Sequence, residues 1–128
     1  MKVLVDTSVV IDPEGAEWSD DAELAISTIT VAELGFGVIK AGDPVLRAQR
    51  TLRLQRVRSS FDVLPVDESV AEAYVTAATA LYVDGRNPRS RNFDLLIAAT
   101  AMANDLPLFT RNFKDVATLR HLVDIRPV

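Results

Sequence analysis

A chain of 128 residues, 48% of them hydrophobic, is long enough to bury one core and predicts a single folded domain over 1–128. Eighteen acidic against fourteen basic side chains leave a net charge of −4, which excludes broad attraction to a polyanion and confines any nucleic-acid contact to local arginine clusters. Lack of cysteine excludes a disulfide framework and a thiolate metal site. The first residues do not read as a signal peptide and no apolar run approaches the roughly 20 residues of a membrane span, so a soluble cytoplasmic protein without membrane contact is expected.

The run Lys2 to Val5 is short, apolar and rich in valine and leucine, as in a strand buried on both faces. It stops on Asp6, followed by the hydroxyls Thr7 and Ser8. Val9 to Ile11 starts a short helix that Pro13 and Gly15 interrupt, and the acidic stretch 17–23 reads as a loop or a weak helix. Leu24 to Ser27 is a second strand. Thr30-Val31-Ala32-Glu33 matches a capping box, predicting a helix from Thr30 to Lys40 that ends at Gly42.

Asp43-Pro44 supplies an N-cap and a first-turn proline for a third helical segment, seventeen residues free of glycine and proline. Arg47, Arg50, Arg53 and Arg56 recur there at every third position, a stripe read as a solvated face or a protein contact, with RNA third. Phe61 to Val66 is a third strand, and Asp67 caps a helix to about Val83, whose Val70, Ala73, Tyr74, Ala77, Ala78 and Leu81 follow the spacing of one buried face. Gly85 stops it. The basic segment 86–92 is predicted to be an exposed loop, Phe93 to Ala103 a strongly apolar helix, Pro107 to Thr110 a strand, Arg111 to Asp115 a loop or turn, and Val123 to Ile125 a final strand. Strands alternating with helices predict a three-layer α/β/α fold around a parallel sheet of about five strands.

Four acids then occupy one kind of position, at a strand end or in a first helical turn: Asp6, Glu33, Asp94 and Asp115. Taken singly, Glu33 completes a capping box, Asp94 answers a helix dipole and Asp115 sits in a surface turn. Asp6 is harder to explain away, because an acid ending a buried strand is poorly solvated unless something pairs with it. Together they fall along the one edge where parallel sheets bind ligands. Hard oxygen donors without cysteine, and with a single isolated His121, select magnesium, or manganese, over zinc.

The segments LVDTSVVID at 4–12, ISTITVAELGFG at 26–37, FDLLIAATA at 93–101 and LFTRNFKDV at 108–116, in this order and spacing, resemble the PIN-domain ribonucleases, most closely the VapC-type toxins of bacterial toxin–antitoxin pairs. The resemblance spans essentially the whole chain. It implies a PIN-like fold, Asp6 and Asp94 as the principal metal-binding carboxylates, and Glu33 and Asp115 completing the catalytic quartet. Asn112 stands where some PIN nucleases carry an acid and becomes a polar helper, which leaves a second metal open. Thr7, Ser8 and Thr110 become hydrogen-bonding supports of the inner carboxylates. The resemblance further implies Mg2+-dependent hydrolysis of RNA by water, a homodimer, and a cognate antitoxin seated in the active-site groove. Arg86, Arg89 and Arg91, just before Asp94, are expected either to hold RNA phosphates or to be solvated loop charges.

Three other readings are weighed. A PIN-like domain that binds nucleic acid or protein without cutting would be supported by a missing inner carboxylate, and all four are present. A receiver domain needs an early acidic pair and a lysine ending a late strand, where this chain has Asp6 alone and Arg111 after Thr110. A haloacid-type phosphatase needs an aspartate two residues after the first, where Ser8 stands.

Overall fold

The strand Lys2–Val5 (β1) forms the centre of a sheet because three of its four residues are buried from both sides. A computed structural model describes all 128 residues. In chain order the elements are β1, α1 (Thr7–Ile11), β2 (Glu23–Ser27), α2 (Thr28–Lys40), α3 (Pro44–Ser60), β3 (Asp62–Leu64), α4 (Glu68–Val83), α5 (Asn92–Ala103), β4 (Leu108–Thr110), α6 (Phe113–Val116) and β5 (Ile125–Pro127). Short 3-10 turns at Pro88–Arg91 and Ala117–Leu119 complete the chain.

All five strands are parallel, in the order β3-β2-β1-β4-β5. Side chains alternate across each strand, so the sheet divides the interior into two cores. Leu4, Ala25 and Leu108 point to one face, where they pack with Ala77 and Leu81 of α4 and Leu95, Ala98 and Ala101 of α5. Val3, Val5, Ile26 and Phe109 point to the other, against Val9 of α1, Leu34 of α2 and Val57 of α3. This is the expected α/β/α sandwich. No helix is long and apolar enough to cross a membrane.

The polar punctuation works largely as the sequence predicts. Asp43 Oδ1 accepts the Leu46 N–H at 2.9 Å with Pro44 opening α3, and Asp67 Oδ1 accepts the Val70 N–H at 3.0 Å at the start of α4. Gly85, at φ +78°, ends α4 in the left-handed conformation that glycine tolerates.

Helix α1 begins at Thr7 rather than Val9 and β3 is confined to Asp62–Leu64 within the expected 61–66, and four further boundaries differ as well. Helix α2 begins at Thr28 rather than Thr30, because Ser27, the last residue of β2, caps it by accepting the Ile29 N–H at 3.0 Å. The Thr30–Glu33 capping box therefore does not form. The basic segment 86–92 is not all loop, since Asn87 Oδ1 accepts the Arg89 N–H at 3.1 Å and opens the turn that leads into α5. Residues 113–116 form one helical turn. The last strand is displaced to Ile125–Pro127, because pairing with β4 sets it opposite Leu108–Thr110 while Val123 fills the core under α5.

The topology locates the crevice. From β1 the chain steps outward through β2 and β3, then returns to the other side of β1 for β4 and β5. The switch point between β1 and β4 is where open α/β sheets leave a cleft at the strand ends. Asp6 follows β1 at that point, and Arg111 and Asn112 follow β4.

Candidate active site

Asp6 is only 6% exposed, and at the N-terminus of α1 its side chain makes no capping bond. Hydroxyls hold it instead. Ser8 Oγ donates to Oδ2 at 2.6 Å and Thr110 Oγ1, reaching across from β4, donates to the same oxygen at 2.9 Å. Each hydroxyl also accepts a backbone N–H, Ser8 from Arg111 at 3.1 Å and Thr110 from Asn112 at 3.0 Å. With its acceptor side occupied in this way, each hydroxyl proton is aimed at the carboxylate. The backbone between Thr110 and Asn112 is thereby locked to the end of β1.

Glu33 is positioned by a second set of hydroxyls. Thr7 Oγ1 lies 2.7 Å from Glu33 Oε1 and 2.9 Å from Thr30 Oγ1, which is fully buried. A carboxylate only accepts, so the Thr7 proton goes to Glu33 and the Thr30 hydroxyl supports Thr7. Burial, together with the charge of Asp6, pushes the Glu33 carboxyl above its ordinary value against the opposing pull of the Thr7 bond.

Asp94 lies in the first turn of α5, half-buried beside Leu95. Its carboxyl is pushed up to about 6, chiefly by burial and then by the charges of Asp6, Glu33 and Asp115, with Arg91 opposing. A helix N-terminus favours an ionised acid, whereas burial and like charge act against ionisation here. Asp115 is paired with Arg91, Nη1 to Oδ1 at 2.7 Å. Asp94 therefore feels the charges of the other three carboxylates, and Glu33 that of Asp6.

Of the other residues singled out from the sequence, Thr7, Ser8 and Thr110 make the contacts expected of them. Asn112 contributes through its backbone N–H to Thr110. Arg89 and Arg91 line a groove of about 380 Å³ together with Glu33 and Asp94. Arg86 does not join them, and its guanidinium lies 3.8 Å from Asp84 at the end of α4. Arg47 and Arg50 bond across to carbonyls of the last turn of α2 and just beyond it, Ala41 at 3.0 Å and Gly37 at 2.7 Å, so half of the arginine stripe clamps α3 to α2. Three features escape a reading of the chain. Thr30 is hidden in the false capping box, the Arg91–Asp115 pair joins elements far apart in sequence, and Arg111 bonds the carbonyls of Asp12 and Glu14 to pin the loop after α1. Only the T-x-x-E spacing could have flagged the first.

The donor set is entirely hard oxygen, and His121 is exposed on the far segment after α6. No three acidic or histidine side chains are drawn together closely enough to hold an ion by themselves. In its chemistry an all-oxygen donor set fits a hard cation such as magnesium, which is typically held by one or two carboxylates and keeps several waters.

A PIN domain family model matches residues 3–119. Ribonuclease VapC5 of Mycobacterium tuberculosis is 36% identical over 113 residues, covering 85% of this chain and 82% of that protein. Ribonuclease VapC of Rickettsia bellii is 32% identical over 127 residues, covering 95% of this chain and 93% of its own length. The crystal structure of VapBC-5, a member of the VapBC family of toxin–antitoxin systems from Mycobacterium tuberculosis, superposes with a TM-score of 0.83 at 32% identity over 99% of this chain and 97% of that one. With the parallel five-stranded sheet and acid-lined crevice already in view, these similarities establish that the chain belongs to the PIN-domain family, in its VapC-type branch.

Proposed function

We propose that this protein is the toxin of a type II toxin–antitoxin pair, an endoribonuclease that hydrolyses RNA phosphodiesters with Mg2+, or Mn2+, at the crevice formed by Asp6, Glu33, Asp94 and Asp115. What supports the reading is Asp6 held at the β1/β4 switch point by Ser8 and Thr110, with Glu33 held by Thr7 and Asp94 in the first turn of α5, where burial and then the charges of the other three acids raise its carboxyl. A protein holding such repulsion without a cation loses stability, so a ligand of opposite charge is the natural complement. Asp6 and Asp94 would hold the ion, with Glu33 and Asp115 nearby.

When bound, a divalent cation supplies positive charge to the phosphoryl oxygens and makes a water more acidic. The chain does the rest. Ser8 and Thr110 both bond Oδ2 of Asp6, which leaves Oδ1 for an external partner and prevents the side chain from turning away. Thr7 holds Glu33 in the same manner. Glu33, held by Thr7 beside the residues that would hold the ion, is placed to accept a proton from an attacking water. No protein nucleophile is required, in keeping with a site lacking cysteine and histidine. Arg89 and Arg91 stand on the rim where a flanking phosphate would lie.

A cognate antitoxin is the second partner in this reading, supported by likeness to VapBC assemblies. A homodimer in the cytoplasm is the state proposed for the toxin, supported by the exposed Val75, Tyr82 and Val83 along α4. The Arg91–Asp115 ion pair favours one competing reading, a non-cutting PIN-like binding domain, because it occupies a carboxylate of the quartet. One experiment separates the two. Purified protein incubated with total RNA and magnesium is expected to create new 5′-phosphate ends, and both EDTA and Asp94→Asn are expected to abolish them. Cleavage that continues undiminished in chelator or in Asp94→Asn protein would refute the metal site, and a wild-type protein that makes no ends would favour the binding domain.

A further inference from the structure

Glu33 borders two grooves. On one side lie Arg89 and Arg91. On the other, a larger groove of about 590 Å³ runs between α2 and α3. Two facing helical stripes make most of its walls, Glu33, Phe36, Gly37 and Lys40 on α2, and Leu46, Gln49, Arg50 and Arg53 on α3, and the apolar Ile11 and Leu34 line it as well. Both stripes follow i, i+3, i+4, i+7 spacing, which keeps these residues on one face of each helix. From Glu33 to Lys40 the groove extends about 10 Å along α2, at about 1.5 Å per residue.

The charge in this groove is opposite to that of the whole protein. Lys40, Arg50 and Arg53 face a single carboxylate, Glu33, whereas the chain carries −4 overall. None of the three cations is in a salt bridge. Arg50 is steered into place by its bond to the Gly37 carbonyl, and Arg53 has a buried Nε with no partner. A buried guanidinium N–H left unpaired is unfavourable, and the rest of the Arg53 side chain lines the groove. Phe36 is 59% exposed, and Lys40 sits over its ring 5.6 Å from the centroid.

We propose, building on the ribonuclease reading, that the α2–α3 groove is the track for single-stranded RNA leading into the crevice, with Lys40, Arg50 and Arg53 on its phosphates and Phe36 stacked on a base. Phosphate-tracking cations combined with an exposed aromatic platform are the elements by which single strands are held. Glu33 lines both this groove and the one that holds Asp94, so a strand leaving the α2–α3 groove would carry its next phosphate toward the carboxylates. Three unpaired cations match a polyanion better than the apolar face of a partner helix. The strand would then continue toward Arg89 and Arg91, giving positive charge on both sides of an acidic centre.

The test compares two substrates, a mixed-sequence single-stranded RNA of about 15 nucleotides, within the range of single-strand site sizes, and bis(p-nitrophenyl) phosphate, which is too small to reach the groove. In Lys40→Gln/Arg53→Gln protein, KM for the RNA is expected to rise about tenfold near physiological salt, and the slope of log KM against log salt to fall by about 0.7 per cation removed. Turnover of the small diester stays at the wild-type rate. Unchanged RNA kinetics and salt slope would overturn the proposal and assign the groove to a protein partner. Should the double variant lose both substrates together, the single Lys40→Gln variant decides, since Lys40 is exposed and its loss leaves the fold intact: a reduced salt slope supports the track and an unchanged one refutes it. Wild-type protein inert toward both substrates would instead remove the ribonuclease reading on which the track rests.

Discussion

Replacing Asp94 by asparagine is expected to stabilise the metal-free protein while destroying its activity. Folding raises the Asp94 carboxyl from 3.8 to about 6, first through burial and then through Asp6, Glu33 and Asp115. A folded state that binds its proton more tightly than the unfolded chain is favoured at low pH, so stability falls as pH rises from about 4 to about 6 and then levels. Above that window the ionised group imposes its full penalty. A shift of about two units corresponds to about 3 kcal/mol at most. Water at this half-open crevice screens part of it, leaving about 1–2 kcal/mol for the amide to recover. In a domain of this size that raises Tm by about 3–8 °C. The assay is thermal and urea denaturation in EDTA between pH 4 and 8, for wild type and Asp94→Asn. The wild type should lose stability across pH 4–6 and the variant should show a shallower slope. Adding magnesium should raise the wild-type Tm by ligand linkage and move the variant much less. A variant equal to or less stable than wild type at pH 7.5 in EDTA, or one with the same slope, would refute the electrostatic account.

Thr110→Val keeps the shape of a 2%-exposed side chain but removes the donor to Asp6 and the acceptor of the Asn112 N–H. Cleavage is expected to fall about 10- to 100-fold and stability by about 1–3 kcal/mol, measured by RNA cleavage rate per folded molecule and by urea midpoint. Ser27→Ala removes the cap of α2 and should lower stability by about 1 kcal/mol in the same denaturation assay without changing the cleavage rate of the folded fraction. Arg91→Gln withdraws the one cation that lowers the Asp94 proton affinity, so the loss of metal-free stability with rising pH should extend to higher pH in a pH titration of the melting temperature. Tyr82→Lys on the exposed face of α4 should convert a dimer to a monomer by light scattering.

What the chain alone made legible was local. Asp43 and Asp67 could be recognised as caps because an N-cap bonds an amide only two or three residues away, and β1, α3, α4 and α5 carry their own periodicity. The failures have the same origin. The Thr30–Glu33 spacing is a valid local signal, yet Ser27, ending β2 immediately beforehand, takes the cap first and frees Glu33 for the crevice. The shift of the last strand was invisible because its register depends on β4, seventeen residues earlier. Asp6, Glu33, Asp94 and Asp115 could be marked as candidates because acids at strand ends and helix starts share an edge in a parallel sheet. Only the strand order β3-β2-β1-β4-β5 could decide which partners reach them, since it sets β4 beside β1 and so brings Thr110 to Asp6 across 104 positions of sequence. Residue type and spacing therefore marked the candidate residues, four acids at strand ends and helix starts. Tertiary packing decided their electrostatics, because burial, mutual repulsion and the single Arg91–Asp115 pairing exist only once distant segments meet.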